Sequence, residues 1–190
     1  MKNIILISMI ILTSFSFGQK IDYNNFDQKL FEKTIFKILN ERRKSKGVEE
    51  LVWSNVLYKE ASNRNMNILL KTDILHHPDY GKIWDSTRVR LSLAKESDKI
   101  IGGKSLVGTF NSPSMTFYEN IFRSKLVYDI TYEDLANYAI DAWEKSFLHN
   151  ATQYADFTDM NKPGLSSCKV GISKSGNIYI VFNFVRVYRI

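Results

Sequence analysis

The last stretch of the chain constrains the fold most. Ile178 to Val187 reads IYIVFNFVRV, a run so rich in β-branched and aromatic residues that it belongs in the middle of a sheet. Just before it, Lys169 to Ile172 (KVGI) predicts a partner strand, joined through a KSGN turn. Phe117 to Phe122 (FYENIF) alternates as a third, short strand does. Helices surround these strands in the sequence. Phe26, Leu30, Phe31, Ile35, Ile38 and Leu39 form one helical stripe, ending in ERRKSKG with Gly47 as the stop. Ser54 is the expected N-cap of a second helix with Val56, Leu57, Ala61, Met66, Leu69 and Leu70 inside. Trp53 is placed to staple its entry. TYED at 131–134 predicts a third helix start, with Thr131 capping and Asp134 as the reciprocal acid, and Leu135, Ala139, Ala142 and Trp143 on its apolar face. Helices, an interrupted middle and a terminal hairpin indicate an α+β or a layered α/β/α fold.

The two ends of the chain differ in character. Residues 1–18 read as a secretory signal peptide: Lys2, an apolar run from Ile4 to Phe17, then Ser16 and Gly18 as small residues before a cut at Gln19. Cleavage there predicts a secreted or periplasmic protein with no transmembrane span. Residues 19–25 are a polar lead-in, and 26–190 form one domain. Between 71 and 117 the pattern is irregular, with Pro78, Gly81, Gly102, Gly103 and Pro113, so a long loop-rich insertion is expected around 82–117. Cys168 is the single cysteine, so stability rests on packing, and a buried inert thiol is its expected state. The net charge of +6 is ordinary solubilising charge. The basic run ERRKSK lacks interleaved aromatics, which argues against nucleic acid as a partner.

Three histidines are present: the pair His76–His77 and the lone His149. Imidazole is the commonest metal ligand and the one side chain that titrates near neutrality unperturbed. Metal or acid–base chemistry in this chain therefore has few places to be. H-E-x-x-H, G-x-S-x-G and Cys–His signatures are absent from the sequence.

Six segments, taken together, resemble the CAP superfamily, the SCP-like domain of cysteine-rich secretory proteins, antigen 5 and pathogenesis-related proteins. LNERR carries an N-x-x-R through Asn40 and Arg43. LVWSNVLYKEA matches L-x-W-x-x-x-L-x-x-x-A through Leu51, Trp53, Leu57 and Ala61. LHH is similar to the segment with the first cleft histidine, YENI stands for G-E-N-I, and AWEKSFLH for the bacterial W-x-x-S-x-x-H. KVGI and IVFNF, with Asn183 and Phe184, resemble the closing strands. The resemblance spans residues 26–187 and implies a three-layer α/β/α sandwich around a central twisted antiparallel sheet, with a wide cleft.

By that resemblance the cleft histidines are His77 and His149, with His76 an alternative to His77, and the acid is Glu119. The set is one that holds Zn2+ or another divalent cation in several members. The family's second acid falls at Ser146, so one carboxylate is missing, and Glu144 sits two residues away on another helix face. Tyr118 replaces the family glycine. The implied function is an exported binding module for a metal, a small apolar ligand or an extracellular surface component. A hydrolase in which Glu119 or His149 activates water, the candidate catalytic residues, and a structural envelope or matrix domain are the rival readings.

Overall fold

The computed structural model describes residues 18–75, 86–100, 114–158 and 163–188. Asp27 caps helix α1, Gln28–Ser45, by accepting from the Leu30 amide at 2.9 Å, and Gly47 ends the turn after it at φ 73°. A two-residue strand β1, Val52–Trp53, leads through the Ser54 cap into helix α2. Helix α2 is continuous in three parts: Asn55–Leu57, a π-helical turn Tyr58–Ser62, and Asn63–Thr72. Helix α3 covers Thr87–Ile100, and β2 runs over Met115–Lys125. Helix α4, Tyr132–Glu144, opens with both halves of the Thr131–Asp134 capping box. The short helix α5, Phe147–Gln153, and the hairpin of β3, Leu165–Ile172, and β4, Asn177–Val187, complete the order.

The strands form one open sheet in the order β1-β3-β4-β2, with β4 buried between two partners as its composition requires. β3 and β2 pair antiparallel with β4, but β1 pairs parallel with β3. The sheet is thus mixed and not wholly antiparallel, because a parallel neighbour comes from a distant, two-residue segment that carries no strand pattern.

Alternation along β4 sends Ile178, Ile180, Phe182 and Phe184 to one face, where they pack with Phe31, Ile35 and Leu39 of α1 and Leu135, Ala139 and Trp143 of α4. Tyr179, Val181, Val185 and Val187 face the other way, against Leu57, Ala61, Met66 and Leu69 of α2 and Val89, Leu93 and Ala94 of α3. One helix layer lies on each face, which makes the fold α+β with a sandwiched sheet. Trp143 is a core anchor whose Nε1 donates to the Ile121 carbonyl at 3.2 Å. Cys168 is fully buried in the α1 layer, and burial pushes its thiol well up, as expected of an inert cysteine.

Two further expectations need correction. The stretch expected as loop contains α3, a helix of fourteen residues whose Glu96 reaches across to the Ser54 hydroxyl and accepts from the Asn55 amide at 2.9 Å. The hairpin strand β3 and the outer strand β2 also begin earlier than their patterns suggest, at Leu165 and Met115. Residues 1–17 of the expected signal peptide 1–18 lie outside the described residues, as do 76–85 and 101–113 of the middle. Among the described residues no helix is long and apolar enough to cross a membrane.

Candidate functional site

The polar residues on the α2 side of the sheet form a row. Ser167, Asn183 and Glu119 are direct neighbours across β3, β4 and β2, so their side chains share one face. Helix α2 lies over this row with Ser62 and Asn65. The Ser62 and Ser167 hydroxyls are 2.7 Å apart, Asn183 Nδ2 donates to Ser62 Oγ at 2.9 Å, and Asn65 Nδ2 donates to Glu119 Oε2 at 2.8 Å. All but Glu119 are fully buried; Glu119 is half-buried at the outer strand. A carboxylate gripped by a buried amide is held in one orientation.

The π-helical turn explains how α2 reaches the row. Its apolar contacts fall at Leu57, Ala61, Met66 and Leu69, with one step of five where a regular helix allows three or four. The wider turn, closed by the Asn63 amide on the Tyr58 carbonyl, absorbs the extra residue. Both apolar halves then face the sheet, and Ser62 and Asn65 fall between them.

Glu119 and Asn120 alternate to opposite faces of β2. Asn120 Nδ2 donates to the backbone carbonyl of His149 at 3.1 Å, which ties α5 to the strand on the α4 side. His149 is half-buried there. Adjacent strand residues thus position the acid and anchor the histidine's backbone. His76 and His77 lie outside the described residues. Among the described residues no three His, Cys, Asp or Glu side chains are grouped to hold a metal.

The segment that leads to the histidine pair is fixed at its start. Asp73 ends α2 in the left-handed conformation, φ 53°, which an aspartate tolerates when its side chain is bonded. Its carboxylate accepts from the Ser175 hydroxyl, from Asn177 Nδ2 at 3.1 Å and from Tyr179 Oη at 2.9 Å. Those bonds, Ser175 first, hold it far below the ordinary carboxylate range. This clamp binds the chain just before His76 to the β3–β4 turn. Ile74 and Leu75 between them are exposed.

The N-x-x-R residues act on the other side. Asn40 exchanges two bonds with the Leu51 backbone, at 2.8 and 2.9 Å. Arg43 is 0% exposed and donates to the carbonyls of Glu49 (2.9 Å), Gln153 (2.6 Å) and Ala155 (3.0 Å), stacking over Phe157. Burial pushes its pKa down to about 10. Arg43 thereby pins the C-terminal end of α5, the helix that carries His149.

The neighbours of the expected acid positions have other employment. Ser146 is the N-cap residue of α5 and makes no side-chain cap bond. Glu144 bonds the Tyr154 hydroxyl and pairs with Arg42 at 3.4 Å, so it serves the α1–α4 contact. Tyr118 is a regular strand residue on the face opposite Glu119, edge-on to Phe157 at 5.5 Å, and needs no positive φ. Ser62, Asn65 and Ser167 carry no motif and are not singled out by the sequence. The signal available was polar residues at inward positions of an otherwise apolar helix face and strand.

No family model matches the sequence, and no curated protein matches it. Among solved structures, the chain is similar to an outer surface protein from Borrelia burgdorferi, with a TM-score of 0.54 and 16% identity over 90% of this chain and 98% of that one. At that identity the likeness is one of fold.

Proposed function

We propose that this chain is an exported binding protein of the CAP type, with a cleft lined by His77, Glu119 and His149 that holds a divalent cation, zinc foremost, or a small apolar ligand. The observation that carries this reading is the setting of Glu119. The acid that the motif YENI singles out ends a buried polar row and is oriented by Asn65 on the outer strand β2; the next residue, Asn120, holds the His149 backbone on the opposite face, so the proposed cleft wraps the outer edge of β2. Two imidazoles and one carboxylate satisfy three of zinc's four positions and leave one for water. With serine at position 146 the site has one negative charge fewer, which favours zinc over hard, oxygen-loving cations. Export is supported by the leader-like residues 1–18 and by the likeness in fold to a protein named for the outer surface.

Calorimetric titration of the purified protein with zinc tests the reading. Wild type is expected to give saturable heats that vanish in a His77→Ala, His149→Ala double variant, whose α5 keeps its backbone bond to Asn120. Equal heats from the two proteins sink the metal site.

A further inference from the structure

A pocket lies at the other edge of the sheet from Glu119, where β1 stops and β3 is left without a neighbour. It encloses about 400 Å³ between α1 and the start of α2, within the range of small-molecule sites. Its walls are three half-buried rings. Phe36 is fixed by parallel stacking on Phe182 (6.3 Å) and meets Trp53 edge-on at 5.4 Å; Tyr58 lies 5.5 Å from Trp53. Trp53 Nε1 donates to Asn55 Oδ1 at 3.3 Å. The Tyr58 hydroxyl accepts from Lys169 Nζ at 2.7 Å, so the rings are held before any ligand arrives.

The charges in the pocket do not balance. The Lys169 ammonium, which crosses the open β3 edge, pairs with the buried Glu32 at 3.3 Å and the two cancel. Lys29 and Lys33 remain. They are exposed, four residues apart on one face of α1, line the same pocket and make no ion pair with any described residue. An apolar ring fits the walls, and an anionic group at its end meets the two ammonium groups at the mouth.

We infer that the pocket formed by Phe36, Trp53 and Tyr58, with Lys29 and Lys33 at its mouth, is a binding site for a small aromatic acid. Such a ligand buries its ring against aromatic faces and leaves its carboxylate at the rim. A cationic ligand is disfavoured by the same lysines, and a purely apolar one leaves them unused. The site lies at the edge of the sheet opposite Glu119 and is distinct from the proposal made for that residue.

2-Naphthoate is a suitable probe, followed by the Trp53 Nε1 resonance in NMR and by calorimetry. It is expected to shift that resonance, and the Lys29→Gln, Lys33→Gln double variant to weaken its affinity about fivefold or more. The neutral 2-naphthamide is expected to bind more weakly than the acid and to ignore the lysine changes. A Lys44→Gln, Lys174→Gln variant removes the same charge elsewhere and is expected to leave naphthoate binding unchanged. An unmoved Trp53 resonance, or equal naphthoate affinity in the Lys29, Lys33 variant, overturns the proposal. Either result leaves zinc binding by the other cleft untouched.

Discussion

Replacing Arg43 by alanine removes a side chain that ties two separate pieces of chain, the turn after α1 and the end of α5, to α1. Its guanidinium donates to the carbonyls of Glu49, Gln153 and Ala155. The buried Gln153 carbonyl left without a donor costs about 1 kcal/mol, and the part-buried Glu49 and Ala155 carbonyls, within reach of water, roughly half that each. The vacated space adds roughly 1–2 kcal/mol, since the surrounding core relaxes only in part. The expected loss is therefore about 3–4 kcal/mol, the size seen when a buried charged partner is removed. For a domain of this length that lowers Tm by roughly 10 °C. Urea denaturation should show a lower midpoint at unchanged slope, the signature of a stability change without a change in the exposed surface. Arg43→Met refills the volume without the bonds and is expected to recover less than half the loss. Arg43→Lys reaches fewer carbonyls from a single ammonium and should also fall short of wild type. Because two of the three carbonyls sit at and just beyond the end of α5, amide exchange across Phe147–Gln153 should accelerate more than across α4. A loss under about 1 kcal/mol in Arg43→Ala at constant slope refutes this account of the N-x-x-R pair.

Other substitutions probe the remaining devices. Asp73 has a folded pKa below its unfolded value of about 3.9, so its stabilisation is present above that pH and disappears as acid protonates it. The gap in urea midpoint between wild type and Asp73→Ala should thus be wide at pH 7 and shrink as the pH falls below about 3.9; a gap that widens in acid contradicts the clamp. Ser62→Ala strips the hydroxyl that joins Ser167 to Asn183 and is expected to cost about 1–3 kcal/mol in chemical denaturation. A Cβ on Gly164 would lie 2.3 Å from the Phe157 Cβ, whereas one on Gly171 meets the flexible Met66 and Leu70 side chains. Gly164→Ala should therefore cost more than Gly171→Ala, with losses of roughly 1–3 kcal/mol for the milder of the two. Equal Tm values for these two variants would contradict the packing described.

The legible signals in the sequence are the local ones. Ser54, Thr131 and Asp134 announce helix starts because capping is a short-range bond between neighbours, and each makes it. The hairpin is legible for the same reason, with Gly176 at φ 76° in its turn. Helix α3 is hidden because its apolar positions, Val89, Leu93 and Ala94, are thinly spaced among charged residues and flanked by loop-forming ones. The parallel pairing of β1 depends on Leu165 and Ser166 from far along the chain, which no local pattern announces. At the candidate site, the motifs name Glu119 and His149 by residue type and order. Asn65 is different: its role exists only once the π-helical turn has rotated it over β2. Arg43 is intermediate, visible as a motif, with a job that depends on carbonyls from two other segments.

The most direct test of the proposed cleft is the side-chain nitrogen NMR of the three histidines during a zinc titration. The His77 and His149 rings are expected to respond together, with one affinity, and Glu119→Gln is expected to weaken that common affinity. Rings that respond separately, or a response confined to the exposed surface with Glu119→Gln indistinguishable from wild type, would contradict the proposed cleft.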